Sequence, residues 1–249
     1  MEDSPENGKG SANDKSNVVQ MPTLAQRDKM RREAEEAERK LEKKERGPQE
    51  PLINLPPATK ILLGLLIAVH VLVHLVLPPQ MLEWVFLHLA FIPGRFTGAA
   101  PFEPISLVTP LTHMALHGSW LHIGMNGVML MAFGSGVERW MGSKRMVLFF
   151  VLCGLSGIAA HFIINPLSPY PVVGASGGLS GLFAAALVMI NKSRGNIGGR
   201  FGIMPFVLLW IGISALFGVM GSPDGGNIAW AAHIGGFLGG FVILKFMKL

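Results

Sequence analysis

Two serines, two histidines and an asparagine stand in glycine-rich, apolar sequence, where polar side chains are least expected. Ser176 and Ser180 belong to GASGGLSG (174–181), Ser176 between Ala175 and Gly177 and Ser180 directly before Gly181. His122 and Asn126 lie four apart in HGSWLHIGMN (117–126), and His233 sits in NIAWAAHIGGFLGG (227–240). A serine hydroxyl becomes a nucleophile when a base takes its proton, and His233 is the natural base of this set. The oxyanion of acyl transfer needs donors aimed at it, and losing one typically costs about 3–4 kcal/mol. His122, the Asn126 amide and the N–H of a serine at a helix start could supply them. The set is a full inventory for hydrolysing a peptide bond through a Ser–His dyad. No Asp or Glu joins it, since Glu138 falls at the far end of the run that carries His122. His113, His117 and His122 lack a cysteine or carboxylate to complete a metal set, so no metal and no cofactor are expected. The single cysteine, Cys153, excludes an internal disulfide and reads as a buried, inert thiol.

These residues need elements to carry them. The chain has 249 residues, 50% hydrophobic and only 15% charged, too apolar for an ordinary soluble domain. Crossing the hydrocarbon takes roughly 17–25 apolar residues. Six runs are candidates: 60–77, 119–138, 146–164, 176–191, 203–220 and 228–245. The piece MLEWVFLHLAFI (81–92) is short and holds Glu83 and His88, which fits an interfacial or re-entrant helix better than a crossing. With six spans and the N-terminus inside, 20 of the 21 Lys and Arg fall on the inner side, Arg95 being the exception. The positive-inside rule therefore favours cytoplasmic N- and C-termini.

In that topology the second, fourth and sixth runs descend from the outer face. Each opens with its polar residues, so Ser176, Ser180, His122, Asn126 and His233 share one depth near the outer leaflet. Polar groups in spans are costly and mark function. Small residues make their meeting plausible: Ala232, Gly236 and Gly240 form one stripe, and Gly177, Gly181 and Ala185 another. Pro166, Pro169 and Pro171 predict a loop dipping inward before the fourth run.

Residues 1–55 form a charged tail and 56–249 the membrane domain. The polar, acidic start reads as no cleavable signal, and 1–23 as disordered. Residues 24–46 predict a solvated helix, with Glu35–Arg39 and Glu36–Lys40 at pairing distance along it. Gly47, Pro48, Pro51, Pro56 and Pro57 then interrupt it.

The motifs HGSWLHIGMN, GASG (174–177), AHIGGFLGG (232–240) and VERWMGSKR (137–145) together resemble the rhomboid intramembrane serine proteases, over about residues 60–245. The resemblance implies an all-α membrane protein, a six-transmembrane-helix bundle, here with a polar N-terminal cytoplasmic tail. It implies Ser176 as nucleophile, His233 as base, and His122 and Asn126 around the oxyanion. Ser176 opens its helix, where its N–H is free, which also favours it over Ser180. The implied substrates are transmembrane proteins in the lipid bilayer, with no nucleic acid partner, and the implied location a bacterial-type inner membrane. The alternative is a non-catalytic rhomboid-like protein that binds or escorts membrane clients. Two departures stand out. The first outer loop lacks the Trp-Arg pair of many rhomboids, and Ser180 stands where they often carry an aromatic residue.

Overall fold

Prolines and glycines punctuate the apolar runs, and helices fill the stretches between them. The computed structural model describes residues 21–45, 54–195, 198–221 and 229–247. The chain divides into two units, Met1–Asn54 and Leu55–Leu249. The expected disorder of residues 1–20 and the break at Gly47, Pro48 and Pro51 lie outside the described residues.

In the first unit, α1 (Leu24–Glu45) starts at a reciprocal cap. The Thr23 N–H donates to Gln26 Oε1 at 2.8 Å, and the Gln26 N–H donates to Thr23 Oγ1 at 3.3 Å. This capping box satisfies donors that the first turn leaves free. Lys40 meets Glu36 at 2.8 Å, while Glu35 meets Arg31 at 3.8 Å.

The second unit is helical throughout, and no strand occurs among its described residues. It runs through α2 (Pro57–Val71), α3 (Pro79–Leu89), α4 (Thr109–Thr112), α5 (Trp120–Met129), α6 (Ser135–Met141), α7 (Ser143–Ile164), α8 (Ser176–Arg194), α9 (Met204–Met220) and α10 (Trp230–Phe246). A π-helical stretch, Leu72–Val76, extends α2, and another, Leu130–Gly134, joins α5 to α6. Among the described residues, most of each of the six apolar runs is helical. Two are long and apolar enough to cross a membrane by length and composition, Pro57–Val76 and Ser143–Ile164, whereas Met204–Met220 and Trp230–Phe246 are apolar but shorter. Most of the piece 81–92 lies in α3, an 11-residue helix that ends at Leu89, with Met81, Trp84 and Leu87 exposed.

α7, α8 and α10 pack backbone to backbone. A Cβ on Gly236 of α10 would land on the carbonyl oxygen of Gly177 in α8. One turn on, a Cβ on Gly240 would lie 3.1 Å from the Cα of Gly181. The two small-residue stripes therefore face each other. α7 closes the third side: a Cβ on Gly178 would come within 2.7 Å of the Phe150 ring. Phe149, Cys153, Leu179 and Leu182 fill the space between, all fully buried.

At the other end of the bundle Glu138 is buried, at 3% exposure. Its carboxylate accepts from the Ala58 N–H at 2.8 Å and from the Thr59 N–H, Thr59 Oγ1 and Ser143 Oγ at 2.7 Å each. The two N–H groups belong to the first turn of α2, where helix geometry leaves donors unpaired and a negative charge is favourable. One side chain thus ties α6 to the starts of α2 and α7.

Candidate active site

The loop after α7 is positioned before it reaches α8. Its prolines have no N–H to offer, so its first half is held through carbonyls. Thr97 Oγ1 donates to the Pro166 carbonyl at 2.9 Å, and the Gly94 N–H to the Ser168 carbonyl at 2.9 Å. Phe91 and Val172 then exchange both backbone hydrogen bonds, at 3.0 and 2.8 Å, in an isolated antiparallel bridge. The inward dip is confined to the end of the loop. Leu167 and Tyr170 are exposed, while Val172 and Ala175 are buried. The outer loop that supplies these contacts has its own brace: Arg95, almost buried, meets Glu103 at 3.3 Å, and His88 meets the other Glu103 oxygen at 3.2 Å.

The chain turns into α8 at Gly174, whose φ of +119° suits glycine alone among the residues. Its N–H donates to the His113 carbonyl at 2.9 Å. Ala175 is the N-cap and Ser176 the first helical residue, so the Ser176 N–H has no partner within its helix. His233 stands in the first turn of α10, and its Nε2 lies 2.9 Å from Ser176 Oγ. The glycine contacts between α8 and α10 bring the two helices close enough for this hydrogen bond.

Ser180 is not in that contact. It is fully buried, and its Oγ donates to the Ser176 carbonyl at 2.7 Å. This is the back-bond to the preceding turn that helical serines often make.

α5 approaches from the other side. Ser119 caps it, with Oγ accepting from the His122 N–H at 3.1 Å. The space beside Gly174 is taken by the His122 ring: a Cβ on Gly174 would lie 2.7 Å from His122 Nε2 and 3.7 Å from Ser176 Oγ. Asn126, one turn on, is 2% exposed, and its amide nitrogen makes no hydrogen bond among the described residues. A buried amide donor without an acceptor is costly, and a bound group carrying negative charge would satisfy it. His113 points elsewhere, with Nδ1 bonded to the Thr109 carbonyl at 3.0 Å. Among the described residues no three His, Cys, Asp or Glu side chains converge as a metal site would require.

The Rhomboid domain family profile matches residues 104–248, more than half of the chain. The chain belongs to the rhomboid family. Among curated relatives, Rhomboid protease GluP of Bacillus subtilis (strain 168) is 34% identical over 131 residues, covering 53% of this chain and 24% of that protein. YdcA of the same strain is 32% identical over 152 residues, covering 61% and 71%. Rhomboid protease GlpG of Salmonella paratyphi A is 29% identical over 154 residues, covering 58% and 51%. The matched part of this rhomboid chain thus spans about a quarter of GluP and about half of GlpG. The profile begins after α2 and α3, so both helices and the outer-loop brace lie outside it.

Sequence spacing did not disclose three features around the site. They are the latch from the His113 carbonyl to Gly174, the Phe91–Val172 bridge, and a row of imidazoles running from α2 to His122. Only the last left a trace, as His70 and His74 stand four apart in the first apolar run.

Proposed function

We propose that this chain is an intramembrane serine endopeptidase that hydrolyses peptide bonds in or near transmembrane segments of membrane proteins. The observation that carries this is the 2.9 Å contact between Ser176 Oγ and His233 Nε2, made between two apolar helices. His233 takes the hydroxyl proton as Ser176 Oγ attacks the scissile carbonyl. The oxyanion forms beside the Ser176 N–H, the His122 imidazole and the Asn126 amide, whose nitrogen has no acceptor among the described residues. The protonated His233 then gives its proton to the departing amine, leaving an acyl-enzyme on Ser176. Water, deprotonated by His233, cleaves that ester, and the proton returns to Ser176.

In this reading residues 56–249 form the protease domain with six spans, and residues 1–55 form a cytoplasmic tail. Both termini face the cytoplasm, as the Lys and Arg distribution favours. The membrane is a bacterial-type inner membrane, and the substrates are transmembrane proteins cut near its outer face.

The test is fluorophosphonate labelling of purified protein in detergent, with the labelled residue located by mass spectrometry, alongside cleavage of membrane-inserted substrates. Label on Ser176 that disappears in His233→Ala, together with cleavage, is the expected result. Folded protein that takes no label and cleaves no substrate in a panel would refute the reading in favour of a non-catalytic client-binding protein.

A further inference from the structure

α2 reaches toward the site with two imidazoles, one turn apart. His70 is 1% exposed. Its ring lies 4.2 Å from that of His74, 4.5 Å edge-on from Trp120 and 6.3 Å edge-on from His117. His117, also 1% exposed, meets the His122 ring edge-on at 5.0 Å. His122 in turn fills the space beside Gly174, within reach of Ser176. Four histidines and one tryptophan therefore form a continuous packed row from α2 to the candidate oxyanion side.

The row is fastened at its backbone as well. His74 Nε2 lies 2.9 Å from the His117 carbonyl. A carbonyl can only accept, so the proton sits on Nε2 and His74 donates. This bond holds the segment that leads into α5. His70 acts differently. With Leu63, Ile67, Ile123, Gly127 and Met131 it lines a cavity of about 340 Å³ between α2 and α5, and its ring also packs edge-on against His117. Removing the His70 ring would leave open space where His117 had a packing partner, room for His117 to fall back from His122. The ring nitrogens of His117 meet no well-formed hydrogen bond among the described residues, so packing is a large part of what keeps that ring in place.

We propose that His70 and His74 are positioning residues for the oxyanion side of the site, holding His117 and through it the imidazole of His122. The inference rests on the protease reading above and deepens it. α2 and its π-helical extension, outside the residues matched by the family profile, become part of what aligns the machinery. His74 acts through its N–H and His70 through its shape, and each therefore has its own conservative replacement.

The experiment uses the full-length protein in detergent. Fluorophosphonate titration counts competent sites, so turnover is expressed per titrated site. The variants are His74→Leu, His74→Phe and His74→Gln, with His70→Ala and His70→Phe. Misplacing a catalytic group slightly is expected to lower turnover per site by roughly ten- to a hundredfold in His74→Leu, His74→Phe and His70→Ala. KM should change by no more than about twofold, because substrate binding is not the step disturbed. Affinity for a peptide aldehyde, which forms the tetrahedral adduct, should fall in step with turnover. His74→Gln, which keeps a donor, and His70→Phe, which keeps the ring, should recover most of the rate. A merely structural role would lower the melting temperature and the titratable fraction but leave turnover per site unchanged, and that result overturns the inference. If the leucine and alanine variants do not fold, His74→Phe decides: full turnover per site without the donor refutes the role of the hydrogen bond. A wild-type protein that neither labels nor cleaves overturns the functional reading and this inference with it. A labelled wild type with unaffected variants overturns this inference alone.

Discussion

Removing the Glu138 carboxylate should destabilise the membrane domain without touching the chemistry. In Glu138→Ala four donors lose their acceptor: the N–H groups of Ala58 and Thr59, and the hydroxyls of Thr59 and Ser143. The hydroxyls can rotate toward other acceptors, whereas the two N–H groups are fixed by the start of α2. Each stranded buried donor costs about 1–3 kcal/mol, so the expected loss is about 2–6 kcal/mol. At about 2–4 °C per kcal/mol for a domain of this size, the melting midpoint should fall on the order of 10 °C. Glu138→Gln separates the contributions. One carboxylate oxygen serves Ala58 and Ser143 and the other serves Thr59 twice. In either orientation the amide turns an NH₂ toward one of the two N–H groups, so roughly half the loss should remain. The assay is thermal unfolding in detergent, with fluorophosphonate labelling per folded molecule as the control. That labelling should match wild type, because Glu138 sits at the other end of the bundle from Ser176. An alanine variant within about 0.5 kcal/mol of wild type, the range of an inconsequential surface change, would refute the reasoning. So would a glutamine variant no better than alanine.

Ser176→Ala should abolish labelling and cleavage. Ser180→Ala should retain most of both and lose about 1 kcal/mol of stability with its bond to the Ser176 carbonyl, as labelling and thermal melts would reveal. Gly236→Ala places a methyl group on the Gly177 carbonyl oxygen and should cost about 1–3 kcal/mol. Its labelling rate, measured where the variant is fully folded, should fall as α10 is pushed away from α8. Gly174→Ala forces a side chain into a φ of +119° against the His122 ring. That strain is about 1–3 kcal/mol, and single-turnover cleavage should slow markedly while substrate affinity holds.

Legibility followed the range of each interaction. The helices were readable because an apolar run between proline and glycine punctuation needs no distant partner to be recognised. The stripes 177/181 and 236/240 were readable because helical spacing places small residues on one face, although not which stripe would meet which. Ser176 and Ser180 share a helix face, so periodicity could not tell them apart. The place of Ser176 at its helix start favoured it, but the 2.9 Å distance to His233 was not readable, because it depends on how α8 and α10 pack. Glu138 looked detached because its partners Ala58 and Thr59 lie about 80 residues earlier. The Phe91–Val172 bridge uses only backbone atoms, which carry no trace in residue type. The prolines predicted a loop dipping inward before the fourth run, without saying how much of it would dip. Its carbonyls are satisfied by the outer loop, so that only its last residues turn inward.

The contact between α8 and α10 has a thermal consequence. Where Gly177 meets Gly236 and Gly181 meets Gly240 there are no side-chain torsions to freeze, since glycine has none. The Ser176–His233 distance therefore carries little rotameric entropy and should vary little with temperature or with the lipid around the bundle. α9 differs: Leu208, Leu209, Leu216 and Met220 are exposed, with side-chain torsions of their own. Heat and bilayer fluidity should act on this helix first. A curved temperature dependence of cleavage, set against a flat one for labelling by a small phosphonate, would then report how substrates arrive and not how the bond is cut.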